Sequence, residues 1–368
     1  MSRPVALVLG PSLGAVSGVT THVRSLLDSQ LGGPYRLIHF QVGSEGRDES
    51  LFGRLARFVT SPFALAAAIL RHNAAIVHIN NSLNAKAWWR DLAYLIVARL
   101  CGARVVLQKH GGDLGTFAAN PGFALLVRQA FKLADCLVVL SQRDLAAYQA
   151  FAPGQHIVTV PNGIDPLPYL HAPRAAAHGS AALRLLYIGR LAAGKGLCES
   201  LQALAILRAA GLAPRLTIAG SGPEEAGLRM RVQELGLDGQ VKFAGAARGE
   251  SKAKLFQRAD LLLLASHSEG LPYALLEAMA AGVVPIVTPV GAIPDVVTGG
   301  VHGLFVPVKD ARSIAEAIKF FDANRGELAR MSQACRARIA SGYSLERLAE
   351  NFIAVYSGLV RWPASQAG

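Results

Sequence analysis

The sequence predicts an α/β protein made of two Rossmann-like, doubly wound parallel-sheet domains facing across a cleft. Three observations point there. Short apolar runs alternate with longer segments of helical periodicity. That alternation stops at residues 166–182 and then restarts. The chain has 368 residues, 52% of them apolar and 17% charged, enough for two cores at roughly 100–200 residues per domain.

In the first half, residues 5–9, 75–79, 104–108, 136–140 and 157–160 read as strands, with helices at 19–31, 87–100, 123–133 and 143–151. Continuous apolar strands separated by helices form a parallel sheet covered on both faces. Residues 166–182 carry Pro166, Pro168, Pro173 and an Ala/His/Gly/Ser stretch without a period, the signature of a linker. Beyond it, strands are predicted at 183–188, 215–219, 241–243, 261–264 and 285–288. Helices are predicted at 197–210, 224–235, 251–258, 273–281, 313–322 and 327–339, and a last amphipathic helix begins at 345. The domains are therefore set at 1–170 and 180–344, with a C-terminal helix at about 345–362 returning to the first. Ligands of open α/β sheets bind outside the carboxyl ends of the strands, which puts the site in the cleft.

Net charge is +12, favouring anionic partners. No basic run interleaved with aromatics suggests a nucleic-acid module. Cys101, Cys136, Cys198 and Cys335 lie far apart without a CxxC pair, so neither a zinc site nor a disulfide framework is expected. The apolar run at 5–9 is too short for a signal peptide. No stretch looks like the ~20 apolar residues of a membrane span; the runs at 63–70 and 92–100 are short or contain Arg. A cytoplasmic protein is expected. Gly53-Arg54-Leu55-Ala56-Arg57-Phe58, Phe63 and Trp88-Trp89-Arg90 mix cations with large apolar groups, a composition suited to the surface of an anionic membrane.

The chemistry concentrates in the second half. Gly189-Arg190-Leu191 closes a strand, and Lys195-Gly196 follows before a helix. Two cations beside a helix N-terminus suit a diphosphate. Ala219-Gly220-Ser221-Gly222-Pro223 is a second strand–helix turn, its glycines allowing close backbone approach. The third motif is Glu269-Gly270-Leu271-Pro272, running into a helix that carries Glu277. Glu269 sits in the loop at the positive helix end, where it can accept sugar hydroxyls. Glu277 lies within the helix, where a carboxylate can receive a ribose diol. In the first half, the loop at 14–19 includes Gly18, and His110-Gly111-Gly112-Asp113 ends the strand read at 104–108.

In this order, these motifs resemble the GT4 family (glycosyl transferases group 1), retaining glycosyltransferases of the GT-B fold. The resemblance implies that Arg190 and Lys195 bind the donor diphosphate. It puts Glu269 on the transferred sugar, Glu277 on the ribose, and Gly270, Leu271 and Pro272 along the phosphates and sugar. Gly189, Gly220, Gly222 and Gly18 would complete the donor site, although Ser17 stands where the family usually has the first of two glycines. His110 would bond the donor sugar or stabilise developing charge, with Gly111, Gly112 and Asp113 toward the acceptor. Residues 161–165 match the segment before the family's linker, and 289–295 a loop read as structural.

No Asp-x-Asp occurs, so no metal or other cofactor is expected, and the cations are left to stabilise the leaving diphosphate. The reaction implied is transfer of a hexose from a UDP- or GDP-sugar to a sugar hydroxyl of a lipid-linked or polysaccharide acceptor, in cell-surface polysaccharide or glycolipid biosynthesis. A sugar-nucleotide epimerase or hydrolase of the same fold, or a non-catalytic nucleotide-sugar-binding protein, would share the phosphate site. The joint presence of Arg190, Lys195, Glu269 and Glu277 favours transfer.

Overall fold

The computed structural model describes residues 3–15, 17–44, 49–170 and 182–360. The chain divides into two compact units, one running to Gly163 and resuming at Leu345, the other spanning Ile164–Ser344.

The first unit contains β1 (Val5–Gly10), α1 (Gly18–Asp28), β2 (Arg36–Gln41), α2 (Leu51–His72), β3 (Ala74–Ser82), α3 (Ala85–Leu100), β4 (Arg104–Gly111), α4 (Leu114–Phe117), α5 (Pro121–Phe131), β5 (Cys136–Val139), α6 (Gln142–Phe151) and β6 (Ile157–Thr159). The second contains α7 (Leu167–Leu170), β7 (Arg184–Ile188), α8 (Leu197–Ala209), β8 (Arg215–Ala219), α9 (Glu225–Glu234), β9 (Val241–Gly245), α10 (Gly249–Gln257), β10 (Leu261–Leu264), α11 (Tyr273–Ala280), β11 (Val284–Val287), α12 (Ile293–Val296), β12 (Leu304–Phe305), α13 (Ala311–Ala323) and α14 (Arg325–Gly342). A last helix, α15 (Leu345–Leu359), belongs to the first unit.

Each unit holds a six-stranded sheet, in the orders β2-β1-β3-β4-β5-β6 and β12-β11-β10-β7-β8-β9, with every neighbouring pair parallel. Both are doubly wound. The chain builds outward from β1 to β2 before crossing to β3, and from β7 through β9 before crossing to β10. Each order therefore has a switch point, between β1 and β3 and between β7 and β10, where diverging loops leave a crevice.

In the first unit a core cluster lies on either face of the sheet. Odd-numbered positions of β1 (Val5, Leu7, Leu9) pack with Leu65, Ile69, Trp88, Leu95, Val127 and Phe131 of α2, α3 and α5. Even-numbered positions (Ala6, Val8) pack with Val23 and Leu26 of α1 and with Leu348, Phe352 and Tyr356 of α15. The period-2 alternation of a strand delivers its side chains to two separate layers.

Several expectations need correction. β2 was not anticipated: its sequence, RLIHFQ, is half polar and only partly buried, as an edge strand can be. α2 was not anticipated as a helix either. It runs for 22 residues through Gly53 and Pro62, and among the described residues it has the length and composition to cross a membrane, which the sequence reading had found in no segment. β4 extends past residue 108 to Gly111, so His110 lies on the strand. Of the predicted linker, 167–170 form α7 and 171–181 lie outside the described residues, as do Val16 of the loop at 14–19 and residues 361–362 of the predicted last helix.

Candidate functional site

In the second unit, the residues singled out by sequence gather at the carboxyl ends of β7, β8, β10 and β11. The loop after β7 is built against the loop after β8. The Gly189 amide donates to the Ala219 carbonyl at 3.0 Å, the Leu191 amide to Ser221 at 2.9 Å, and the Glu224 amide back to Leu191 at 3.1 Å. A Cβ on Gly220 would stand 1.8 Å from the Gly189 carbonyl oxygen, and one on Gly222 would stand 2.1 Å from that of Leu191. Both glycines are thus required by backbone contact between the loops, whatever ligand binds there.

The switch point itself is spanned by Lys195 and Glu269. Lys195 Nζ lies 2.7 Å from Glu269 Oε1, with both side chains largely buried. Gly196 starts α8 with φ +71° and without a capping side chain; a Cβ there would stand 2.1 Å from the Ala265 carbonyl oxygen. Pro272 starts α11, likewise without a side-chain cap. Two helix N-termini whose first-turn amides receive no side-chain oxygen carry partial positive charge toward the loops that bear Lys195 and Glu269, and such ends favour anions. Arg190 is exposed beside them, its carbonyl accepting from the Tyr187 hydroxyl at 2.8 Å.

Glu269 is held from behind. Gly291 has φ +57°, and a Cβ there would lie 2.1 Å from the Glu269 carbonyl oxygen. The Ala292 amide donates to Gly270 at 2.9 Å. The loop at 289–295, read from sequence as structural, is the backing of Gly270. His267, two residues before Glu269, bonds Glu199 of α8 at 2.9 Å, and its amide donates to Gly194 at 2.8 Å. Leu271 is buried.

Glu277 sits apart from that pair. It is buried on α11 and pairs with Lys252 of α10 at 2.5 Å, with Tyr169 as a further hydrogen-bonding partner. Burial raises its carboxyl pKa, and Lys252 and Tyr169 oppose the rise. Neither partner was singled out in the sequence: Lys252 lies in the unremarkable run ESKAK, and Tyr169 in the predicted linker. A pocket of about 420 Å³ between α7 and α10 shares Tyr169 with this group but is lined by none of the predicted site residues.

In the first unit, His110 is the penultimate residue of β4, with Nε2 2.7 Å from Asn80 Oδ1. The Asn80 amide nitrogen donates to the Leu9 carbonyl at 2.8 Å, which fixes the amide's orientation. Oδ1 is therefore the acceptor, the His110 proton resides on Nε2, and Nδ1 keeps its lone pair. The His22 ring lies 4.5 Å away between ring centroids, tilted by 59°. His78, in turn, lies 6.4 Å from His22; its Nδ1 meets the Tyr356 hydroxyl at 2.8 Å and its Nε2 the Gln108 Oε1 at 3.0 Å. Burial pushes His22 down to about 4 and His78 to about 3, the latter with a contribution from His22. It also holds His110 well below the imidazole range, reinforced by His22, His78 and Lys109. All three rings are neutral at pH 7. Sequence reasoning missed His22, His78 and Asn80: His22 lies 88 residues from His110 and 56 from His78, and Asn80 lies 30 from His110, in no recognisable motif.

The remaining predicted residues are placed as follows. Gly112 has φ +84° and would clash with Leu83 if it carried a Cβ, whereas Gly18 faces open space. Gly111 is the last residue of β4. Asp113 caps α4, its Oδ1 accepting from the Thr116 amide and hydroxyl at 2.8 Å each.

The model of Glycosyltransferase Family 4 matches residues 16–166, and that of Glycosyl transferases group 1 matches residues 174–338. The chain belongs to the GT4-type, group 1 glycosyltransferases. Among curated relatives, the WcaL glycosyltransferase of Salmonella typhimurium, whose name assigns it to colanic acid biosynthesis, is 28% identical over 58% of this chain and 53% of its own length. The chain thus spans about half the length of that relative. The N-acetyl-alpha-D-glucosaminyl L-malate synthase of Bacillus anthracis is 26% identical over 96% of this chain and 94% of its own. Two solved structures share the GT-B fold. Sucrose-phosphate synthase from Thermosynechococcus elongatus aligns with a TM-score of 0.81 at 19% identity, covering 97% of this chain and 99% of that one. HepE from Anabaena in complex with UDP-glucose aligns at 0.74 and 17% identity, covering 96% and 99%.

Proposed function

We propose that this glycosyltransferase takes a hexose from a UDP- or GDP-sugar and transfers it, with retention of anomeric configuration, to a hydroxyl of a lipid-linked or polysaccharide acceptor. The observation that carries the donor reading is the Lys195–Glu269 pair between the uncapped N-termini of α8 and α11. Cation and helix ends supply positive charge for a leaving diphosphate, and the carboxylate supplies acceptors for sugar hydroxyls. The UDP-glucose bound by HepE supports the donor class, and the colanic acid assignment of the WcaL relative supports polysaccharide biosynthesis.

In this reading a donor phosphate takes over Lys195 from Glu269, which frees the carboxylate for the sugar. The ribose diol likewise shares Glu277 with Lys252. The anomeric carbon–oxygen bond to the diphosphate breaks, and the acceptor oxygen bonds the same carbon on the same face. The acceptor's proton passes to the departing phosphate oxygen. Glu269 positions and stabilises the oxocarbenium-like sugar, and no protein nucleophile is invoked. His110, neutral and with its Nδ1 lone pair available, can accept from a sugar hydroxyl. Arg190, Lys195 and Lys252 provide the cationic charge, so the reaction needs no metal.

Thermal-shift screening against UDP, GDP, ADP and their sugar conjugates, with and without a chelator, tests this. A ligand at a hundred times its dissociation constant adds about 2.7 kcal/mol of stability. The expected result is a shift with one base that survives the chelator and is lost in Glu277→Ala. A shift abolished by chelator would overturn the metal-free reading, and turnover of donor without any acceptor would favour an epimerase or hydrolase.

A further inference from the structure

The helices covering one face of the first unit's sheet leave a large apolar surface uncovered. α2 buries Leu65 and Ile69 in the core yet exposes Phe52 at 80%, Phe63 at 73% and Leu70 at 70%, with Leu55 and Val59 between them. These five follow spacings of three, four, four and seven residues, which on a helix make one stripe. The surface continues onto the neighbouring helices. Tyr94 of α3 donates to Ser61 of α2 at 2.9 Å, and Trp89 of α3, half exposed, meets Phe123 of α5 at 6.2 Å between ring centroids. Ile96, Leu100, Leu125 and Leu126 are exposed on the same two helices. Apolar patches of this extent on a protein surface mark a contact with something else.

Charge narrows what that partner is. The sequences of α2, α3 and α5 contain Arg54, Arg57, Arg71, Lys86, Arg90, Arg99 and Arg128 against a single acid, Asp91. That acid is buried and already paired with Arg90 at 2.7 Å. Arg54, Arg71 and Arg128 are exposed. An apolar stripe bordered by cations, with Glu49 before α2 paired to Arg57 at 2.9 Å and no exposed acid among the described residues of these helices, fits a lipid surface bearing negative headgroups. A protein partner would be expected to meet some anionic groups on this face, and the described residues of these helices expose none.

We infer that this face lies on an anionic membrane, with the α2 stripe in the headgroup–acyl boundary and the arginines on lipid phosphates. α2 lies on the bilayer and does not cross it. Spanning would draw Leu65 and Ile69 out of the core and would detach α2 from β3, which begins two residues after the helix ends and sits between β1 and β4 in the sheet. A surface of this kind would hold the enzyme where a lipid-linked acceptor resides. The inference does not rest on the transferase reading, because the α2 surface is read without reference to any sugar or nucleotide.

Flotation of the full chain with vesicles tests it. The protein is expected to rise with vesicles of mixed phosphatidylglycerol and phosphatidylcholine, and to do so at least about tenfold less with phosphatidylcholine alone or at high salt, where screening removes the charge contribution. The triple variant Phe52→Ser, Phe63→Ser, Leu70→Ser is expected to lose at least about tenfold in partitioning, with an unchanged melting temperature showing that it folds. Arg54→Glu with Arg71→Glu should weaken binding to anionic vesicles alone. The inference fails if the wild-type chain stays with the protein fraction, if it partitions equally onto both vesicle types, or if the triple variant floats like the wild type. It also fails if light scattering finds a stable dimer that the triple variant breaks, because a second copy would then cover this face.

Discussion

At the level of single residues, the chemistry depends on partners that lie far off in sequence. Lys195 and Glu269 could be chosen from their motifs because each motif is local, a strand end followed by a helix start. Lys252, which neutralises Glu277, and Asn80, which orients His110, could not, because nothing near them in the chain distinguishes them from ordinary helix and strand residues. Their roles appear only when β3 is laid beside β4 and α10 against α11. The Asn80 amide makes a specific prediction. Asn80→Asp would put a carboxylate against His110 Nε2, and a neighbouring negative charge favours the imidazolium. The neutral ring would then be lost at higher pH. The acid limb of the pH–rate profile is expected to move up by about one unit, whereas Asn80→Ser, which supplies no such charge, leaves the limb in place. An acid limb unmoved in Asn80→Asp would contradict the assignment of His110 as a group that acts in its neutral form.

At the level of elements, runs of continuous apolar residues were legible and mixed ones were not. β7, β8 and β10 announce themselves as buried strands, whereas β2 mixes Arg36, His39 and Gln41 with apolar residues, and so resembles a loop. α2 was hidden for a different reason. Gly53 and Pro62 interrupt it, and both are residues that read as breaks in a helix. Glycines were legible only in part. Gly222 and Gly291 are fixed by loop-to-loop contact, which a sequence does not display. Gly291→Ala would demand both a positive φ from a residue with a Cβ and displacement of the Glu269 carbonyl. The expected cost is about 1–3 kcal/mol in stability, with a larger proportional loss in turnover because the Glu269 loop shifts. Urea melts and steady-state rates on the same preparation check this. Full activity in that variant would show that the loop at 289–295 does not position Glu269.

At the level of the whole molecule, the two-sheet plan was legible from the alternation of elements, and the strand orders were not. The switch points between β1 and β3 and between β7 and β10 arise from crossovers that no local pattern announces. The return of α15 to the first unit has a consequence for pH. Its Tyr356 hydroxyl bonds His78, which neighbours His22 and through it His110. These rings have folded-state pKa values below that of a free imidazole, so between their folded values and about pH 6.5 the unfolded chain binds more protons. Their neutral packing contributes fully above about pH 6.5 and loses its contribution as pH falls through the range down to about 4, where His22 titrates. The urea midpoint is expected to fall between pH 7 and pH 5, and replacing His78 with Gln should flatten that fall. A midpoint unchanged across that range would contradict the buried neutral cluster.

The central claim is that the Lys195–Glu269 pair at the β7/β10 switch point serves sugar transfer from a nucleotide-sugar. The most direct test compares wild type with Glu269→Gln, using the donor identified by screening and measuring both transfer rate and affinity for the free nucleoside diphosphate. The account predicts a loss of at least about a hundredfold in kcat, near 3 kcal/mol of transition-state stabilisation, with diphosphate affinity kept or increased as Lys195 is released. Transfer at the wild-type rate, or equal loss of diphosphate affinity and turnover, would contradict it.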